Sequence, residues 1–389
     1  MRDLRPQPVL ASGPTLMSDP TVTLDPTLAS VSTPALVIDR ERLEANIVDM
    51  AARARTAGVA LWPHGKTHKC AEIAALQRDA GAAGLTVATV AEAEYFAAAG
   101  VRDILIAYPP VGAWRLARLT RLAASASIRV VLDDGAVLGE LIDACRAAGV
   151  RIPYLWEVDC GTGRLGTAPG QATVEALTDA PRAPECPFDG LMTFGGHAYG
   201  AEDDAALEAA AAAERDALAV TAQALARAGI ECPTRSGGTT PTIHRLRPGS
   251  GLTEARPGNY VFYDATQVAL GLVAPERCAL SVLATVIGRP APDRAILDAG
   301  SKALAAERMT PRTPDFGLVA GHPQLRVARL YEQHAIVQGE GPCRLGVGDR
   351  VRVVPNHACA AANLHREALV VERDEVIATW AIGAAGPGG

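Results

Sequence analysis

Three lysines, Lys66, Lys69 and Lys302, stand against 34 arginines in this chain of 389 residues. A lysine kept among so much arginine invites a reason other than charge. An amine can lose its proton near neutral pH and attack a carbonyl, which a guanidinium cannot. The stretch Trp62-Pro63-His64-Gly65-Lys66-Thr67-His68-Lys69 places two of the three lysines just after a short apolar segment and before a helical pattern. That reads as the carboxyl end of a strand opening into a turn, with Lys66 as a Schiff-base amine. A plain surface cation is the alternative reading of the same residue. His64 and His68, four apart, also suggest a metal pair, but Gly65 between them interrupts the helical geometry that such a pair needs.

Four further segments carry chemistry. Arg235-Ser236-Gly237-Gly238-Thr239-Thr240-Pro241-Thr242 combines glycines, which let backbone N–H groups converge, with hydroxyl donors, so it can seat a phosphate without a cation; a flexible surface loop is the other reading. In Asp159-Cys160-Gly161-Thr162-Gly163-Arg164-Leu165-Gly166, an arginine between glycines can face an anionic oxygen at close range. His357-Ala358-Cys359 follows a strand-like run. An imidazole and a thiolate two apart on extended backbone point the same way, and they suit Zn²⁺ in an open site that keeps water positions. The fourth segment, Gly195-Gly196-His197-Ala198-Tyr199, carries a histidine and a phenol.

These segments need a frame that brings them together. Apolar strand-like runs at 60–62, 84–89, 103–108, 128–133, 154–159, 188–193, 231–236 and 260–263 alternate with helical patterns such as 71–80, 90–99, 136–148 and 205–228. About eight such units predict a (β/α)8 barrel over residues 33–265, an α/β TIM barrel with its site at the strand ends. A doubly wound open sheet is the competing architecture. Beyond Asp264 the spacing turns β-rich, with runs at 280–287, 295–298, 324–331, 350–354, 368–372 and 376–381. This predicts a second, antiparallel β domain over 266–383, to which the strand at 35–38 is a candidate contributor.

Composition narrows the function classes. A net charge of −6 and a pI near 5.8, with no basic stripe, argue against a nucleic-acid partner. No apolar run reaches the roughly 18 to 20 residues that a membrane span needs. Residues 1–25, rich in Pro, Thr and Ser, lack the apolar core of a signal peptide and read as a flexible extension. Eight cysteines without a CxxC pattern read as reduced thiols. The expectation is a cytoplasmic protein.

Taken in order, the motifs above, together with Thr33-Pro34-Ala35-Leu36-Val37-Ile38-Asp39, Arg256-Pro257-Gly258-Asn259-Tyr260-Val261-Phe262-Tyr263-Asp264, Leu297-Asp298-Ala299-Gly300-Ser301-Lys302-Ala303-Leu304 and Pro355-Asn356-His357-Ala358-Cys359, resemble the fold type III pyridoxal-phosphate enzymes. Within these the chain resembles the D-threonine aldolase and D-serine dehydratase family, from about Thr33 nearly to the end.

The resemblance implies an alanine racemase-like barrel followed by the antiparallel β domain, paired head to tail as a homodimer. It implies that Lys66 carries pyridoxal 5'-phosphate, that Gly237, Gly238, Thr239 and Thr240 hold the phosphate, and that Arg164 faces the phenolic oxygen. By the same analogy Arg256 approaches the pyridine nitrogen, and His197 and Tyr199 line the pocket. His357 and Cys359 would bind a divalent metal, Zn or Mn. Phe194 departs from the family pattern, in which a polar residue often stands. The implied activity is a lyase acting on D-3-hydroxy amino acids. The outcome is either dehydration to a keto acid and ammonia or aldol cleavage to glycine and an aldehyde. The His-x-Cys pair points toward zinc and dehydration, since aldolase relatives tend to present His-x-Asp. The rival readings are an amino acid racemase of the same fold, a non-catalytic pyridoxal-phosphate carrier and a metallohydrolase barrel.

Overall fold

The computed structural model describes residues 27–384; the extension expected over residues 1–25 lies outside them. Eight parallel strands form one sheet: Ala60–Leu61, Leu85–Val87, Asp103–Ile106, Ser127–Leu132, Tyr154–Glu157, Phe188–Met192, Thr234–Gly237 and Glu254–Ala255. The first strand pairs with the eighth. It meets the second through a parallel bridge between His64 and Thr86 and through the Thr86 N–H donated to the Pro63 carbonyl at 2.8 Å. The sheet therefore closes, which decides for the barrel over the open sheet.

One expectation fails. Residues 260–263 were expected to form the eighth strand; instead Asn259–Val261 is a 3₁₀ turn, and the strand is the two-residue Glu254–Ala255. Tyr260, Val261, Phe262 and Tyr263 are fully buried all the same. Their apolar character reflects packing between the barrel and the helix Arg40–Ala57, where the side chain of Asn46 donates to the Val261 carbonyl, and not a place in the sheet.

Helices cover the barrel because their caps and apolar faces agree. Asp39 caps Arg40–Ala57 by accepting the Arg42 N–H, and Gly58 ends it in the left-handed conformation, φ 72°. Leu43, Ile47, Met50 and Ala54, at helical spacing, are all buried. Along the strands alternate residues point inward. Leu105, Val131, Leu155 and Met192 make an apolar plug inside the barrel, while Ile104, Ile106, Val130 and Leu132 pack outward into the main core.

The same alternation puts Arg129 inside the barrel, where it meets Glu254 at 2.7 Å and Asp189 at 3.0 Å and stacks on the Trp62 ring at 4.1 Å. Replacing it leaves the enclosed Glu254 carboxylate without its cation. We expect Arg129→Ala to cost about 3–5 kcal/mol of stability, read as a lower urea midpoint; an unchanged midpoint would remove the pair from the account of barrel stability.

The second unit is a nine-stranded sheet. Leu280–Ala291, Arg294–Leu297, Ala335–Gly339, Leu325–Leu330, Gly317–Val319 and Arg350–Pro355 pair in a closed antiparallel ring. Ala35–Asp39 joins this sheet, antiparallel to Leu280–Ala291 and parallel to Glu367–Glu372, and Glu375–Ala381 forms the outer edge. No helix among the described residues is long and apolar enough to cross a membrane.

Candidate active site

The first barrel strand ends at Leu61, and the chain then turns through the 3₁₀ segment Gly65–Thr67, which carries Lys66 into a cavity of about 1030 Å³ at the barrel mouth. Gly65 has no room for a side chain there: a Cβ would stand 2.8 Å from the Phe96 ring. Burial pushes the Lys66 ammonium below its usual range, and of the nearby charges Arg164 and Arg256 add to the effect while Cys359 and Glu92 oppose it. The other two lysines are committed. Lys69 donates to Asn363 at 2.6 Å and pairs with Glu92 at 3.4 Å, and Lys302 pairs with Glu332 at 2.7 Å. The Lys66 amine makes no hydrogen bond or ion pair with a described residue; it lies over the Phe194 ring, 5.8 Å from its centroid.

Arg164 also lies over that ring, at 4.3 Å, and reaches Glu157 at 3.4 Å. Its loop is built by Asp159, which accepts the N–H groups of Gly161, Thr162 and Gly163 and the Thr162 hydroxyl. Asp133 fixes the far end by accepting the Gly166 N–H at 2.7 Å. Burial raises the Glu157 carboxyl, with Arg164 acting against it.

The seventh strand ends at Gly237, and Gly238 follows it. Gly238 is left-handed, φ 83°, and a Cβ there would crowd Ala255 at 3.0 Å. Thr239 then caps the short helix Thr240–Ile243 in a capping box with Thr242. Gly238, Thr239 and Thr240 line the cavity, whereas Gly237 packs behind it on Leu252. Arg256 also lines it, donating to the Ser236 hydroxyl and the Thr193 carbonyl, both at 2.6 Å. These bonds tie together the ends of three adjacent barrel strands. His197 and Tyr199 complete that wall; burial raises the Tyr199 phenol.

His357 and Cys359 reach the same cavity from the second unit. They do not lie on extended backbone as expected: His357 is extended, but Ala358–Ala362 is a short helix with His357 at its N-cap. The two side chains still meet and hydrogen-bond to one another. Burial opposes the charged form of His357, but Cys359, Glu307 and Asp264 outweigh it and carry the imidazole up to about 11. Burial likewise pushes the Cys359 thiol up, and His357, Thr67 and Lys66 together bring it below its usual value. Cys359 Sγ lies 3.2 Å from the hydroxyl of Thr67, the residue next to Lys66. Two donors side by side suit an open metal site; no cluster of three is present among the described residues.

The two histidines flanking Lys66 part company. His64 faces the cavity, where burial and then the Lys66 charge hold it neutral. His68 is enclosed in the wall, edge-on to Phe96 at 5.7 Å, and burial lowers it to about 4. Unfolded, it would titrate near 6.5, so below that pH the unfolded chain takes up a proton that the native chain refuses. Its contribution is present above pH 6.5 and is lost as pH falls toward 4, on the order of 3 kcal/mol. Urea midpoints measured from pH 7 to 4.5 should fall accordingly, and a His68→Gln variant should show a flatter profile; equal slopes would reject the assignment.

Some participants carry no sequence signal. Glu307 sits in an irregular segment 50 residues before His357 and shows no motif. Asp264 closes the Arg256–Asp264 motif, but its bond to the Ala358 N–H becomes visible only in the fold.

Comparison with known proteins adds the lineage. Residues 38–266 match the alanine racemase N-terminal domain, and residues 279–371 match a putative serine dehydratase domain. The chain is 39% identical to a D-threonine aldolase of Arthrobacter sp. over 366 residues, 92% of this chain and 94% of that one. It is 35% identical to the D-threo-3-hydroxyaspartate dehydratase of Delftia sp. strain HT23 over 371 residues, 91% and 97% of the two chains. Among solved structures, a cysteine-to-alanine variant of D-threo-3-hydroxyaspartate dehydratase in a metal-free form superposes with a TM-score of 0.83 at 33% identity, covering 91% of this chain and 98% of that one.

Proposed function

The chain belongs to the alanine racemase N-terminal domain family and is a pyridoxal-phosphate-dependent lyase, and from that premise we propose that it acts on D-3-hydroxy amino acids with Lys66 holding the cofactor and His357 and Cys359 holding a divalent metal ion. One observation carries the proposal. An uncommitted amine and a histidine–thiol pair, almost 300 residues apart in the chain, open into one cavity and are joined through Thr67.

The residues fit both groups. The Lys66 amine lines the cavity without a hydrogen bond or ion pair to a described residue, Gly238, Thr239 and Thr240 line it as well, and the imidazole–thiol pair is a borderline-soft donor set. Gly237 to Thr240 would hold the phosphate, and Arg164 would face the phenolic oxygen. Arg256 would approach the pyridine nitrogen with the N–H groups not given to Ser236 and Thr193, and His197 and Tyr199 would flank the ring. We assign these roles over a barrel at 33–265, less the strand Ala35–Asp39 that joins the β sheet, and a β domain at 266–383, in a cytoplasmic homodimer.

When bound, the cofactor supplies an electron sink for the pair left at Cα, and the metal a Lewis acid for the β-hydroxyl. The chain supplies the rest. Burial shifts Lys66 toward the neutral amine, the form that would hold the cofactor covalently and would take a proton at Cα. Thr67 holds the Cys359 sulfur beside that amine. Phe194, Tyr199 and Met309 line the mouth of the barrel around that amine.

The decisive assay offers D-threonine and D-serine to protein loaded with pyridoxal phosphate and zinc or manganese. Keto acid and ammonia mark the dehydratase outcome, to which the thiol ligand inclines this site; glycine and acetaldehyde mark the aldolase. Turnover of neither substrate, with alanine racemised instead, would overturn the proposal.

A further inference from the structure

The segment that carries His357 is held from three directions by residues that the proposed chemistry does not use. On the chain's N-terminal side, the Thr266 hydroxyl donates to the Asn356 carbonyl at 2.7 Å, and the Asn356 amide donates to the Asp315 carbonyl at 2.6 Å. On its C-terminal side, Asp264 accepts the Ala358 N–H at 2.9 Å. Asp264 is itself fixed, taking the Asn259 amide at 2.5 Å and the Gln267 N–H at 3.1 Å. Asp264, Thr266 and Asn356 are all almost fully buried. The third hold is on the ring: Glu307 Oε2 is hydrogen-bonded to His357 Nδ1.

A carboxylate only accepts, so the proton in that contact belongs to Nδ1. That leaves Nε2 as the ring nitrogen that can take an ion, giving up its own proton as the ion binds. Histidine ligands are commonly fixed in tautomer and orientation by such an outer carboxylate, which also makes the ligating nitrogen more basic.

We infer that Glu307 is a positioning residue for the metal site, selecting Nε2 of His357 as the ligand and holding the ring on the ion, while Asp264 and Thr266 clamp the backbone on either side. The inference rests on His357 being a metal ligand. Its test is built so that the two can fail separately.

Glu307 is half-exposed, so its substitution should leave the fold intact. Apo-protein of wild type, Glu307→Gln and Glu307→Ala is titrated with Zn²⁺ against a chromophoric chelator, and the absorption spectrum of each Co²⁺-substituted protein is recorded alongside the melting temperature. The expected result is zinc affinity weakened roughly 10- to 100-fold. The loss should be greater in Ala than in Gln, whose amide oxygen still accepts the Nδ1 proton. The cobalt spectrum should change while the melting temperature holds. Equal zinc affinity and an unchanged cobalt spectrum in both variants would overturn the inference and leave the metal site standing, as would a fall in melting temperature alone. A wild-type protein that binds no zinc would overturn the metal reading itself, and this inference with it.

Discussion

Lys66→Ala should abolish turnover and the visible absorbance that the protein acquires with pyridoxal phosphate, while Lys69→Ala and Lys302→Ala keep the absorbance. The contrast follows from where the three amines are spent. Lys69 is buried against Glu92 and Asn363, and Lys302 is tied to Glu332 at the surface. Only Lys66 points an unpaired amine into the cavity, lowered by burial toward the neutral form that attacks a carbonyl. Loss of its proton transfer alone removes roughly 100- to 10,000-fold in rate, and loss of the covalent link adds to that. Lys66→Arg separates charge from nucleophilicity, because it keeps a cation beside Phe194 but offers no amine. It should be as inactive as the alanine variant. Retained absorbance in Lys66→Ala would take the residue out of the role.

The second large effect concerns the metal. His357→Ala, Cys359→Ala and prolonged chelation of the wild type should each reduce turnover to background while leaving the cofactor absorbance in place. The two functions separate because the sites sit on different units. Lys66 belongs to the turn after the first barrel strand, whereas His357 and Cys359 open the helix that follows Arg350–Pro355 in the β domain. The Thr67–Cys359 contact joins them at 3.2 Å. Restoring zinc or manganese should rescue the chelated wild type but neither variant. Full turnover in chelator, checked by metal analysis of the assayed protein, would refute the role of the pair.

The site was legible in the sequence where its pieces are local. The turn at Lys66, the Asp159–Gly166 loop and the glycine pair at 237 and 238 each carry their chemistry within a few residues of a strand end. The eighth strand was not legible, because two rules pull against it. Glu254 is charged yet faces the barrel interior, where it accepts a hydrogen bond from Arg129. The aromatic run 260–263 has every mark of a strand and is buried as a turn instead. The convergence of His357 and Cys359 was anticipated for the wrong backbone: His357 is extended, but Cys359 already stands in a short helix. Glu307 was out of reach altogether: its role comes from a contact across 50 residues, and a single glutamate in an irregular segment has no periodicity to betray it.

The central claim is the identity of one amine, and it can be read directly. Protein loaded with pyridoxal phosphate is reduced with borohydride, digested and mapped by mass spectrometry. The account predicts a single phosphopyridoxyl group on the peptide that contains Lys66, with the modification placed on that residue by fragmentation. A label on Lys69 or Lys302, or no label on any of the three, would contradict it.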